Sequence, residues 1–139
     1  MKWLIDTSII SLAMKGRGGL AQRLAAEPRA DLLTSCIVLA EGWAGARRLP
    51  HASRIHAGWQ AIADQWTVLD FDLACANRYA ELRHRLESQG AMIGIHDCQI
   101  AATALAWRDR HPDEQLTLVT DNEREFARVA DLRVVNWLR

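Results

Sequence analysis

Short apolar runs alternate with longer helical segments along the whole chain. The runs that favour a strand are residues 2–5, 31–34, 66–71, 116–120 and 132–136. Strands that alternate with helices are typical of α/β proteins, in which a mostly parallel sheet is covered by helices on both faces. The chain has 139 residues and no linker-like or low-complexity tract, so we expect one domain spanning residues 1–139.

The helical segments carry capping residues or helical spacing of apolar side chains. The side chains of Asp6, Thr7 and Ser8 are predicted to cap a helix that starts near Ile9, and His96 or Asp97 is predicted to cap the Ala-rich helix that follows. The other predicted helices cover residues 20–26, 36–48, 52–65, 73–90 and 122–129.

Composition excludes several classes of protein. Seventeen basic and seventeen acidic residues give a net charge of zero, so the whole molecule does not attract nucleic acid. One candidate for a local patch is the stretch 42–63, which has arginines and tryptophans but no acid and indicates either an RNA-binding patch or a solvated helix end with two core tryptophans. The three cysteines form no CxxC pair and no apolar run approaches about 20 residues, so we expect a cytoplasmic protein that has no contact with a membrane.

Four acids stand where strands end or where little else is charged. Asp6 and Asp121 follow apolar runs, Glu41 lies in an otherwise uncharged stretch of helix, and Asp97 opens the Ala-rich helix. Each alone could be a helix cap, a turn residue or a paired core acid. Carboxylates gathered at one sheet edge would repel each other, and a divalent cation such as Mg²⁺ or Mn²⁺ removes that conflict. Such a site suits phosphodiester hydrolysis.

The ordered motifs WLIDTSII, VLAEGWAG, GIHDCQIAATALA and LVTDNEREFARVADLRVVNW cover nearly the whole chain. In this order and spacing the sequence resembles the PIN-domain ribonucleases, specifically the VapC-type toxins of bacterial toxin–antitoxin pairs. The resemblance implies a single PIN-like domain and a magnesium-dependent endoribonuclease that cleaves RNA. It also implies a VapB-like antitoxin as protein partner and a homodimer.

The same resemblance assigns the site residues. Asp6 and Asp97 correspond to the principal metal ligands, and Glu41 to a further acid that binds metal directly or through water. The fourth catalytic position falls on Asp121 or on the neighbouring Asn122. The hydroxyls of Thr120 and Ser8 are expected to orient carboxylates, in the case of Ser8 that of Asp6.

Two other function classes compete with a nuclease. A phosphatase or receiver-like phosphoryl-transfer domain also gathers acids at a sheet edge, but it usually has a second acid two residues after the first, where this chain has Ser8. A catalytically inactive PIN-like module that binds RNA or protein is the other alternative. The presence of Asp6, Glu41 and Asp97 together argues against it.

Overall fold

The computed structural model describes residues 1–139 and contains one five-stranded sheet. The strands lie in the order β3-β2-β1-β4-β5, and all four pairings are parallel. Their bounds are β1 Lys2–Ile5, β2 Leu32–Ser35, β3 Thr67–Leu69, β4 Leu116–Val119 and β5 Arg133–Val135. The predicted parallel sheet is confirmed, and each strand lies at or close to its predicted position.

Seven α-helices connect and cover the strands. They are α1 Thr7–Met14, α2 Leu20–Ala26, α3 Cys36–Arg47, α4 Ser53–Gln65, α5 Leu73–Ser88, α6 Ile95–Arg110 and α7 Glu123–Phe126. The side chains of Ser35 and Asp72 accept hydrogen bonds from the backbone at the starts of α3 and α5, which explains why these helices begin where the sequence predicts. None of the helices is both long enough and apolar enough to cross a lipid bilayer.

Four predicted helices are wrong at one end, and one of them is α5, which ends at Ser88 rather than at residue 90. Helix α1 begins at Thr7 rather than near Ile9, because the Asp6 carboxylate accepts the first free backbone N–H. Helix α6 begins at Ile95 with Gly94 at its N-cap, so neither His96 nor Asp97 caps it, and the Gly94 carbonyl accepts the first helical bond, from the Cys98 N–H. Helix α7 is shorter than the predicted 122–129.

The strand order explains where a site can form. The connections β1→β2→β3 run outwards in one direction from β1, and the connections to β4 and β5 run in the other. Right-handed crossovers therefore place α1–α4 on one face of the sheet and α5–α7 on the other. The order reverses between β1 and β4, and in parallel sheets the crevice at the carboxyl ends of such strands is the usual binding place.

Burial is greatest in the middle of the sheet and along α6. All four residues of β2 and of β4 are buried, whereas the edge strands β3 and β5 stay partly exposed. Helix α6 is buried without a break from Ile100 to Trp107, and its alanines let α5 and the sheet approach closely. The rigid centre of the molecule thus lies directly beneath the carboxyl ends of β1 and β4.

Candidate active site

Asp6 is the most deeply buried acid at the switch point. It follows β1 directly, its side chain is among the buried polar groups, and it is only 5 % exposed. Its Oδ1 accepts the backbone N–H of Thr7 at 2.8 Å. Its Oδ2 accepts hydroxyl protons from Thr120 at 2.7 Å and from Ser8 at 3.3 Å. The expected orienting contact between Ser8 and Asp6 is therefore present.

Thr120 reaches Asp6 because β1 and β4 are paired in register. Ile5 lies opposite Val119, so the residues that follow each strand emerge side by side. Thr120 is completely buried and its backbone N–H bonds the Val135 carbonyl of β5. Its hydroxyl is therefore held rigidly, and it fixes the orientation of the Asp6 carboxylate, as the sequence predicts for one of the acids.

Glu41 reaches the site from α3, which lies in the connection between β2 and β3. The Thr7 hydroxyl donates to Glu41 Oε1 at 2.9 Å, and His96 Nδ1 lies 3.2 Å from Oε2. The Glu41 side chain is 29 % exposed, so it is not the fully enclosed core acid that the apolar surroundings in the sequence indicate. Its oxygens are instead held at the rim, where a solvated ligand can reach them.

Asp97 stands in the first turn of α6. The amide nitrogen of Asn122 donates to its Oδ2 at 2.9 Å. The backbone N–H of Asn122 in turn bonds the Thr120 hydroxyl at 3.0 Å. One short segment after β4 therefore orients both Asp6 and Asp97.

The two candidates for the fourth position point in different directions. Asn122 faces Asp97, as described above. The Asp121 side chain turns towards Asn136, whose amide nitrogen donates to its Oδ1 at 3.0 Å. Only the backbone of Asp121 contacts the site, through its N–H to the Ser8 hydroxyl.

Two further side chains, which were not predicted from the sequence as site residues, also reach the site. Glu125 in α7 accepts the Gly94 N–H at 3.4 Å and lies close enough to Asp97 to raise its pKa. It stands three residues after Asn122, on the same side of a short helix. This spacing in the sequence could have indicated that Glu125 lies near the site. His96 contacts Glu41. No histidine spacing in the sequence indicated this role, because the two residues are 55 positions apart.

Electrostatics confirm that the acids share one small volume. Burial raises the pKa of Asp6, and the negative charge of Glu41 raises it further, against the hydrogen bonds from Thr120, Thr7 and Ser8. Burial raises the pKa of Asp97 to about 6, and the charges of Asp6, Glu125 and Glu41 add to the effect. No lysine or arginine forms an ion pair with Asp6, Glu41 or Asp97, and only His96 stands against Glu41.

These residues fit a hard divalent cation in their chemistry. The donors are carboxylate oxygens without a basic counter-charge, which suits magnesium or manganese better than a soft metal. Asp6, Glu41 and Asp97, the three predicted metal ligands, do not form a group of three side chains close enough to hold a metal ion together as they stand. Magnesium usually takes one or two carboxylates and completes its coordination with water and substrate phosphate, so it does not require such a group.

Comparisons with known proteins agree with this picture. The PIN-domain family model matches residues 3–132. Ribonuclease VapC2 of Haemophilus influenzae is 30 % identical over 138 residues, which cover 99 % of each chain. The tRNA(fMet)-specific endonuclease VapC of Shigella flexneri is 30 % identical over 137 residues, covering 99 % of this chain and 98 % of that protein.

Solved structures show the same likeness. In the crystal structure of VapBC2 from Rickettsia felis bound to a DNA fragment from its promoter, one chain matches with a TM-score of 0.82 and 30 % identity, and 99 % of both chains is covered. The family match spans most of the sequence, and the relatives align over nearly their full length. The chain belongs to the PIN-domain family and, within it, to the VapC-type ribonucleases.

Proposed function

We propose that this chain is the toxin of a type II toxin–antitoxin system and an endoribonuclease that hydrolyses RNA phosphodiester bonds with the help of Mg²⁺ or Mn²⁺. One observation carries the proposal. Asp6, Glu41 and Asp97 come from three separate parts of the chain and meet at the topological switch point, where no lysine or arginine neutralises them. Crowded acids of this kind are costly to keep charged unless they hold a cation.

Asp6 and Asp97 are the proposed metal ligands, and Glu41 is the further acid. When bound, the cation would neutralise charge on the scissile phosphate and lower the pKa of a bound water. The protein's own part is positioning. Thr120 and Ser8 hold Asp6, Asn122 holds Asp97, and Thr7 with His96 holds Glu41, so that the carboxylates need no rearrangement when charge develops.

We further propose a small VapB-like antitoxin as the partner. The matching solved structure from Rickettsia felis is named as a VapBC2 complex, which supports such a partner for this chain. The acids present an uncompensated negative site, and an arginine from the antitoxin would complement it through charge-assisted hydrogen bonds. RNA as the substrate is supported by relatives named ribonucleases and by one named for tRNA(fMet). A homodimer remains the expected oligomeric state.

The test is cleavage of total cellular RNA by protein purified free of any partner. We expect cleavage with Mg²⁺, none with EDTA, and none from Asp6→Ala or Asp97→Ala at any metal concentration. Folding of both variants is checked by circular dichroism. Cleavage that persists in Asp6→Ala would point to a contaminating nuclease. A folded protein that neither cleaves RNA nor binds Mg²⁺ by calorimetry would support the inactive binding module instead.

A pair of variants addresses the fourth acid. Asp121→Asn and Glu125→Gln each remove one charge and keep the shape of the side chain. A loss of activity in Asp121→Asn alone would assign the fourth position to Asp121 despite its contact with Asn136. A loss in Glu125→Gln alone would assign it to α7, where Glu125 already acts on the pKa of Asp97.

A further inference from the structure

The α3–α4 hairpin carries a second candidate site, on the side away from the acids. Trp43 and Arg47 of α3 and His56, Ala57 and Gln60 of α4 line a groove of about 720 Å³, which we call the outer groove. The other tryptophan of the basic stretch, Trp59, is 2 % exposed and packs against Gly42 in the core. Trp43 also packs against the core but keeps part of its surface exposed in the groove, so it is the one of the two tryptophans that a ligand can reach.

The charge of this surface is positive and uncompensated. Residues 42–63 contain Arg47, Arg48 and Arg54 but no acid, in a chain whose total charge is zero. None of these arginines takes part in any of the ion pairs of the structure. The nearest acid along α4 is Asp64, which accepts a hydrogen bond from Gln60 at 3.0 Å. No acid lines the groove itself, and Asp64 borders it through Gln60. Arg54 donates to the Met14 carbonyl of α1, so Arg47 and the adjacent Arg48 are the cations that suit a polyanionic ligand here.

Arg47 and Trp43 form one recognition unit. They stand one helical turn apart and both line the outer groove, and Arg47 Nη1 donates to the backbone carbonyl of Trp43 at 3.4 Å. A flat aromatic face next to a cation suits a nucleotide, because the base stacks on the ring while the phosphate meets the charge. His56 adds a ring on the opposite wall, where its Nε2 bonds the Leu49 carbonyl.

The outer groove and the acids lie on different sides of the same helix, α3, so that one strand of nucleic acid can contact both. Glu41 and Trp43 project about 200° apart on α3, which is about 10–12 Å in diameter with its side chains. The exposed surface between them carries Ala44 and Arg48. Small and basic side chains along this path let a strand of nucleic acid lie close to the helix, and a few nucleotides span the distance.

We propose that the outer groove binds single-stranded RNA that flanks the cleaved bond, with a base on Trp43 and phosphates on Arg47 and Arg48. This inference rests on the proposed ribonuclease function and names the part of the substrate that a second surface holds. RNA is favoured over a protein partner because the groove combines a partly exposed aromatic ring with Arg47, which forms no ion pair and is followed directly by Arg48. A contact with a second copy of the chain is the competing outcome of the test.

The experiment measures binding separately from cleavage. In an Asp6→Ala background, anisotropy is followed for a fluorescein-labelled, unstructured RNA of about twelve nucleotides, a length within common binding-site sizes. We expect Trp43→Ala to weaken binding about 5- to 100-fold and Trp43→Phe to retain most of it. Arg47→Ala should weaken binding and lower the slope of log affinity against log salt by about 0.7, the value of one lost phosphate contact on a single strand.

Arg85→Ala is the matched control, because Arg85 in α5 also forms no ion pair and lies outside the hairpin. It should bind RNA as the background protein does. In the active protein, Trp43→Ala should raise KM with little change in kcat. Unchanged RNA binding in both groove variants, or no RNA binding at all, overturns the proposal. A change of mass in solution without a change in RNA binding also overturns it and assigns the groove to a contact between copies.

The two proposals fail in different ways. If the background protein binds RNA through Trp43 and Arg47 but the active protein cleaves none with any metal, the ribonuclease proposal fails and the groove remains an RNA site. If cleavage is normal and the groove variants bind and cleave as the parent does, the groove proposal fails alone.

Discussion

At the scale of single residues, the site combines acids that destabilise one another. Asp97 shows this most clearly, because burial and the charges of Asp6, Glu125 and Glu41 raise its pKa from 3.8 to about 6. A folded-state pKa above the unfolded value means that the ionised form costs stability. The stability of the metal-free protein should therefore rise as the pH falls from above 6 towards 4.

The first prediction is that Asp97→Asn stabilises the metal-free protein at pH 7.5. Asparagine keeps an oxygen for the Asn122 amide and removes the charge, so we expect a gain of about 1 kcal/mol after allowing for solvent screening of a half-exposed group. Urea unfolding in EDTA measures it. The gain should shrink as the pH falls towards 4, and the exposed Asp113→Asn should show neither effect. A loss of stability in Asp97→Asn at pH 7.5 would contradict the crowding of charges.

Most of the acids of the site, but not the fourth one, could be selected from the sequence. Asp6, Glu41 and Asp97 could be selected from the sequence because each is an acid in an apolar or strand-end setting. The choice between Asp121 and Asn122 could not be made, since it depends on Asn136, which lies beyond β5 and draws the Asp121 side chain away. Neighbouring residues after a strand point in different directions, and the sequence does not say which one faces the site.

Among the elements, α3 contributes side chains both to the cluster of acids and to the outer groove. Its N-terminal half brings Glu41 to the acids, and it contains two glycines, of which Gly42 lets it pack against Trp59. A Cβ on Gly42 would lie 2.5 Å from three atoms of the Trp59 ring, whereas a Cβ on Gly45 would meet nothing within 4 Å. The two glycines share one helix but differ in what surrounds them.

The second prediction contrasts these glycines. Gly42→Ala should destabilise the protein by about 1–3 kcal/mol, because the buried Trp59 must move. Gly45→Ala should stabilise it by about 0.5–1 kcal/mol through the lower conformational freedom of the unfolded chain. Thermal unfolding of both variants, with wild type alongside, measures the difference. Equal effects of the two substitutions would show that the α3–α4 packing is looser than described.

Element boundaries were predictable only where the cap is local. Ser35 and Asp72 cap their own helices through hydrogen bonds to nearby backbone, and both starts follow from the sequence. The start of α6 could not be predicted in this way, because its N-cap residue, Gly94, has no side chain that could bond the backbone. Only the backbone conformation of Gly94 in the structure marks where the helix begins. Strand ends were uncertain for a similar reason, since the extent of β3 depends on how much of it pairs with β2.

At the scale of the whole molecule, the two ends of the chain close on each other. Trp3 of β1 and Trp137 meet edge to face with centroids 5.3 Å apart. Arg23 of α2 lies 4.3 Å above the Trp137 ring, and Glu27 accepts a hydrogen bond from the Trp3 indole. This cluster ties the last residues to the first strand and to α2.

The third prediction tests this closure. Trp137→Ala should destabilise the protein by about 2 kcal/mol, since it removes a half-buried ring and its aromatic partner contact. Arg23→Ala removes the cation above the ring and the partly exposed ion pair with Glu27, and it should cost about 0.5–1 kcal/mol. Urea unfolding measures both. If Arg23→Ala cost as much as Trp137→Ala, the cluster would depend on charge rather than on apolar contact.

Local patterns in the chain were enough to predict the class of fold and three of the acids of the site. Apolar runs, capping residues and helical spacing are local, and their alternation is compatible with few arrangements other than a parallel α/β sheet. Tertiary structure alone decided which side chains share the site. The register of β1 with β4 sets Thr120 against Asp6, and the packing of α3 and α6 brings His96 to Glu41 across 55 positions of sequence. Such contacts depend on where distant segments pack, and no local pattern encodes that.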